Sequence, residues 1–273
     1  MHPPSPRPEG APPLAARAAL RAWNVEPTLV VALAVGALVY LRGWRRLRMR
    51  RPARIGVWHL VAFLGGLGTL FVALASPLDT LADRVLAVHM AQHIVLLVVT
   101  PPLLLLGAPL VPLLHGLPEG RPRAVAGALV ARLTDRLGHP VVCWLAMSLV
   151  TWGWHLPAPF ELALRSRAWH VVEHASFLAA GLLFWWPVVQ PWPSRARGRP
   201  AALILYLVLA DVQNTALAAI LTFSERVLYP SYGRGPGALD AQMLAGLLMW
   251  VPMALAYLVP AGVLTVRWLS PRR

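Results

Sequence analysis

Two short stretches carry the most readable chemistry in this chain: H-M-A-Q-H from His89 to His93, and H-V-V-E-H from His170 to His174. In each, the two histidines stand four positions apart, so on a helix they leave one face about 40° and 6 Å apart. That spacing suits two ligands on one metal ion, and neutral imidazole is a ligand for zinc, copper and iron. A fifth histidine, His155, stands in W-G-W-H-L-P. Glu173 turns the second stretch into H-x-x-E-H, the inverted zinc-protease pattern in which the glutamate is a general base. The same carboxylate equally suits orienting an imidazole or bonding between helices. The single cysteine, Cys143, excludes an intramolecular disulfide and a cysteine-rich cluster, so a bound metal must rely on nitrogen, oxygen or thioether donors. Met90 and Met243 offer thioether to Cu(I), although methionine is also ordinary packing material.

The elements that must position these groups are membrane helices. Of 273 residues, 58% are hydrophobic and 13% charged, against roughly 25% charged in a soluble globular protein. Apolar runs of about 18 residues or more match the thickness of a hydrocarbon core. They predict an all-α, polytopic membrane protein with seven spans, at 27–42, 56–76, 83–106, 140–156, 168–189, 200–223 and 240–263. The 27 prolines and 20 glycines sit largely within or at the ends of these runs, where membrane helices tolerate them. Residues 1–26 form an N-terminal tail, unstructured from Met1 to about Ala19, residues 27–267 the transmembrane domain, and residues 268–273 a C-terminal tail. No cleavable signal peptide is expected.

All 25 cations are arginines, and the net charge is +14. In a soluble protein that balance would suggest nucleic acid; here the arginines fall in short connections between apolar runs, where they report topology. Seventeen lie on one face, including seven from Arg42 to Arg54, and eight on the other, offset by seven acids from Glu9 to Asp240. The positive-inside rule then puts the N-terminus outside and the C-terminus in the cytoplasm. Arg121–Leu137, with arginines and apolar residues interleaved, is expected as an interfacial helix on the cytoplasmic surface.

Sorted by this topology, His59, His115 and His139 lie near the cytoplasmic face and His2 lies in the tail. His89, His93, His155, His170 and His174 converge in the outer third of the bilayer, on three consecutive spans. Ionisable groups are costly there and mark function. Asp211, Gln213 and Asn214 lie deeper in the sixth span, with Asp211 read as structural, and Asp240 and Gln242 where the seventh span enters. Cys143, at the opposite end of the fourth span, is read as core.

Around these residues the sequence resembles the CtaG family of multi-spanning cytochrome c oxidase assembly factors, the bacterial type linked to caa-type oxidases. The resemblance lies in the run from His89 to Pro109, in W-H-L-P-A-P-F from Trp154 to Phe160, and in the run from His170 to Pro187. Y-P-S-Y from Tyr229 and A-G-L-L-M-W from Ala245 also fit. One departure is that Ala241 separates Asp240 from Gln242, where the family carries an acidic–Gln pair.

The resemblance implies help in maturing an oxidase subunit in the bacterial plasma membrane, through its copper content. The residues themselves indicate a soft or borderline metal held by imidazoles. Together these predict a non-enzymatic metallochaperone binding copper, as Cu(I), through His89, His93, His170 and His174, with His155 as a further ligand and zinc as the alternative metal. Two other classes remain open on the residues: an intramembrane zinc hydrolase using His170, Glu173 and His174, and a haem-binding electron carrier. The expected partners are an oxidase subunit and the lipid bilayer, not nucleic acid.

Overall fold

Proline decides where many of the helices begin. The structure, a computed structural model, describes residues 23–193 and 199–270, without the side chains of 133–137. In chain order the helices are α1 Pro27–Arg50, α2 Val57–Ala75, α3 Pro77–Ala82, α4 Leu86–Ile94, a π-helical turn Val95–Val99, α5 Thr100–Leu106, α6 Leu110–Gly116, α7 Arg121–Leu137, α8 Pro140–His155, α9 Pro157–Arg165, α10 Arg167–Val189, α11 Pro200–Phe223, a 3-10 turn Pro230–Tyr232 and α12 Pro236–Leu269. Pro27, Pro77, Pro140, Pro157, Pro200 and Pro236 each occupy a first helical position. There the missing N–H has no intrahelical partner to lose, and the ring presets φ.

The regular structure of the described residues is all helical, with no strand among them. Six helical stretches are long and apolar enough to cross a membrane, and a seventh span results if α8 and α9, bent by 73° at Leu156, count as one. The Arg121–Leu137 helix has the expected bounds. The first span is longer than expected, so Arg42, Arg45, Arg46, Arg48 and Arg50 ride its final turns instead of a loop. The last, 34 residues, extends about 51 Å and carries Trp268 and Leu269, expected in the tail. The Met1–Ala19 stretch, His2, Arg195, Arg197, Arg272 and Arg273 lie outside the described residues.

The stretch Leu86–Leu106 is the centre of the bundle. Its most apolar window is 67% buried, against 11–44% for the other five single-helix spans. Halfway along it the α-helix gives way to the π turn, just before Pro101 and Pro102. Proline at 101 has no N–H for the Leu97 carbonyl one turn back. Trp185 of α10 supplies the donor instead, its Nε1 bonding the Leu97 oxygen at 2.9 Å. Gly181 makes that approach possible: a Cβ there would stand 2.7 Å from Pro101 Cγ and 2.9 Å from the Leu97 oxygen. The central helix and α10 therefore run parallel and in register, 97 beside 181 and 185.

At the bundle end that gathers the first arginines, α1 packs against α6 backbone to backbone. A Cβ at Gly43 would lie 1.7 Å from the Pro112 oxygen, and one at Gly116 1.9 Å from the Val39 oxygen. Tyr40, fully buried, stacks on Phe63 and donates to the Gly107 carbonyl at 2.7 Å.

Candidate metal centre

The parallel register of the central helix and α10 has a direct consequence at their first turns. His89 and His93 of α4 face His170 and His174 of α10, level by level. Ring centroids are 5.6 Å apart for His89–His170 and 5.7 Å for His93–His174. Along each helix the separations are 4.3 Å for His89–His93 and 4.1 Å for His170–His174. His155, at the last turn of α8, stands 6.1 Å from His93. All five expected histidines are thus brought together at one end of the bundle.

Glu173 belongs to the same cluster, fully buried. One carboxylate oxygen, Oε1, is 3.6 Å from His93 Nε2, and the other, Oε2, is 3.9 Å from His89 Nε2. These are too long for hydrogen bonds. Ligand atoms about 2.1 Å from one ion at a tetrahedral angle lie about 3.4 Å apart, which is close to the observed spacing. Two sets, His89–His170–Glu173 and His93–Glu173–His174, each bring three ligand atoms within 4.8 Å of one another. His155 is in neither set, and neither are Cys143 and Asp211.

Hydrogen bonds orient the imidazoles for that use. The Tyr232 hydroxyl donates to the Ala82 carbonyl at 2.7 Å and lies 2.9 Å from His89 Nδ1. With its one proton committed to Ala82, the hydroxyl accepts from His89, so Nδ1 carries the hydrogen and Nε2 keeps its lone pair. The Thr151 carbonyl accepts from His155 Nδ1 at 2.7 Å, with the same result. The Nε2 atoms of His89, His93, His155, His170 and His174, and both Glu173 oxygens, are buried without a hydrogen-bond partner. Buried polar atoms are rarely left this way, and these seven together form a donor set that a cation could satisfy. Phe177 closes the floor, 4.3 Å from the His93 ring, and Phe160 packs 5.1 Å from His89.

The loop Tyr229–Tyr232 straps the site. Tyr229 stacks on Phe160 and donates to the His155 carbonyl at 2.8 Å, and Ser231 donates through N and Oγ to Glu161 of α9. Gln242, buried at the start of α12, accepts from Leu228 N and donates to the Leu221 and Arg226 carbonyls, holding that connection. Asp240 is exposed. Met90 and Met249 are core residues, whereas Met243 is exposed on the bundle surface. A cavity of about 840 Å³ opens beside the cluster, with Asn24, Glu26, Asp79, Asp83, His170 and His174 among its walls.

Two contributions escape a reading of the residues alone. Glu173 is a potential ligand, and its signal is its spacing: three residues after His170, it is that histidine's neighbour on the helix surface. Tyr229 and Tyr232 lie at a 3-10 turn of three residues, too short to leave a period in the sequence.

Fold and site define a multi-pass helical membrane protein with a buried histidine–glutamate centre at one end. Residues 38–270 match the cytochrome c oxidase caa3 assembly factor family (Caa3_CtaG), and the chain belongs to it. Among curated relatives, uncharacterized proteins of Mycobacterium bovis and Mycobacterium tuberculosis are each 30% identical over 193 residues, covering 67% of this chain and 29% of theirs. An uncharacterized protein of Mycobacterium leprae is 24% identical over 260 residues, 90% of this chain and 39% of its own. The chain thus spans well under half the length of these relatives. No solved structure matches it.

Proposed function

We propose that this chain holds copper at its histidine end, in the outer part of a bacterial plasma membrane, and supports insertion of that copper into a cytochrome c oxidase subunit. The ion is cargo, and the protein is not an enzyme. The observation that carries this reading is the convergence of four buried, unpartnered imidazole nitrogens, those of His89, His93, His170 and His174, around an equally unpartnered carboxylate, with His155 Nε2 unpartnered nearby. Imidazole with one carboxylate suits copper, and zinc as the alternative. The residues that would hold the ion are His89, His93, His170, His174 and Glu173, with His155 positioned to take part as an ion arrives or leaves. The adjoining cavity supplies a path, since His170 and His174 form part of its wall and the carboxylates of Glu26, Asp79 and Asp83 another part.

The test is copper content and Cu(I) affinity of the full chain purified in detergent under reducing conditions, alongside oxidase copper content in cells expressing native or His93→Ala protein. Copper bound by the native chain, with less copper bound and less oxidase copper in the variant, is the expected result. Orientation is checked by reporter fusions: after Arg50 they should read cytoplasmic and after Asp79 external. The opposite reading after Asp79 puts the cluster on the wrong side for this role.

A further inference from the structure

We propose that the cluster holds two metal ions, with Glu173 bridging one bound by His89 and His170 and another bound by His93 and His174. The proposal rests on the metal-holding reading above and deepens it. Because α4 and α10 run parallel, their paired histidines form two levels along the helix axes. Four residues of α-helix advance about 6 Å, and each level contains one imidazole from each helix.

Glu173 reaches both levels. Oε2 faces His89 and Oε1 faces His93, at 3.9 Å and 3.6 Å. Neither oxygen has a hydrogen-bond partner, nor has the Nε2 of any of the four histidines. Each level, together with Glu173, has three ligand atoms within 4.8 Å. A single ion placed at one level would leave two buried imidazole nitrogens and one carboxylate oxygen of the other without a partner. Two ions satisfy all six atoms. Two monovalent ions exceed the charge of Glu173 by one, and Asp79 and Asp83, in the wall of the cavity that also borders His170, lie where they offset it.

Both levels reach the cavity on the α10 side, through His170 and His174, while His89 and His93 are buried behind them. An incoming ion therefore meets an α10 histidine first at either level. A carboxylate shared between the levels lets an ion change level without losing all its ligands.

The test uses the full chain in detergent, titrated anaerobically with Cu(I) against a chromophoric chelator, with metal analysis and copper X-ray absorption on the same samples. The expected result is two copper ions per chain, with a copper–copper vector at roughly 3.5–4 Å, as in other two-metal sites. His170→Ala should keep one ion and lose the vector. Glu173→Gln should weaken the second ion by more than about 10-fold, because a direct ligand is lost where even groups that only orient a ligand are worth about 10- to 100-fold. One copper per native chain, abolished equally by His89→Ala and His174→Ala, overturns the proposal in favour of a single four-histidine site. Two ions held by Glu173→Gln at native affinity, with the vector intact, overturn the bridge. No copper on the native chain overturns the metal-holding reading as well, which separates the two failures. The native stoichiometry and vector decide the number of ions even if a variant fails to fold.

Discussion

The two ends of the bundle use histidine in opposite ways. At the arginine end, His59 Nδ1 accepts from the Gly56 N–H at 3.0 Å, and His139 Nδ1 from the Val141 N–H at 3.3 Å, both capping the starts of their helices. His115 Nδ1 donates to the Val111 carbonyl at 2.9 Å within its own helix. These imidazoles serve local backbone. At the other end, hydrogen bonds from His89 and His155 occupy only Nδ1, five Nε2 atoms are buried and unpartnered, and those of His89, His93, His170 and His174 meet at Glu173. Residue type and helix-end location are the same in both places. What distinguishes a site from a set of caps is the second nitrogen: whether it is left over, and whether others left over point at it.

The comparison breaks most visibly if a cluster histidine can be removed without consequence. His93→Ala is expected to lower copper affinity by more than about 100-fold, beyond the range for groups that only orient a ligand, because both its nitrogens are buried and unpartnered. His59→Ala and His115→Ala should leave affinity within about twofold in the same chelator competition. Equal losses at both ends would mean that the imidazoles act through folding alone.

The arginine end should instead fail through packing. Gly116→Ala puts a methyl group 1.9 Å from the Val39 carbonyl oxygen, where the obstacle is backbone and cannot rotate away. The expected cost is at the upper end of the roughly 1–3 kcal/mol typical of overpacking, read as earlier thermal loss of folded protein in detergent. Protein that survives should bind copper normally. Trp185→Phe sharpens the boundary between the two ends. It strips the donor from the carbonyl that Pro101 leaves open, at a cost of about 1–3 kcal/mol for an unsatisfied buried acceptor. Because that bond also fixes the register of the central helix against α10, affinity should fall together with stability.

Much of this was legible in the chain. The apolar helices, the Arg121–Leu137 helix and the placing of the five histidines near helix ends follow from local hydropathy and a helical period. Proximity of the two H-x-x-x-H faces follows once both helices enter from the same side. The rest depends on contacts between distant segments. The π turn needs the register of Pro101 against Trp185, the α8–α9 bend follows the arrest of α8 at the extended Leu156 that precedes Pro157, and the strap depends on where the Tyr229–Tyr232 loop lands. Nothing near Tyr232 in sequence says that its hydroxyl reaches His89.

That hydroxyl supports the smallest and most specific expectation. Tyr232→Phe removes one oxygen and keeps the ring that packs against Phe160. The Ala82 carbonyl loses a donor and His89 Nδ1 an acceptor. His89 can then place its hydrogen on either nitrogen, and the tautomer with hydrogen on Nε2 has no lone pair for the cluster. Copper affinity should fall by about 10-fold, the lower end for groups that orient a metal-bound histidine, while thermal stability changes by about 1 kcal/mol, as for one net hydrogen bond. Nitrogen-15 spectra of the imidazoles in the metal-free protein distinguish this cause from simple loosening. In the native chain the His89 hydrogen should sit on Nδ1, and in the variant it should be shared between the two nitrogens. An affinity loss with the tautomer unchanged would mean that Tyr232 acts by closing the strap over the site and not by orienting His89.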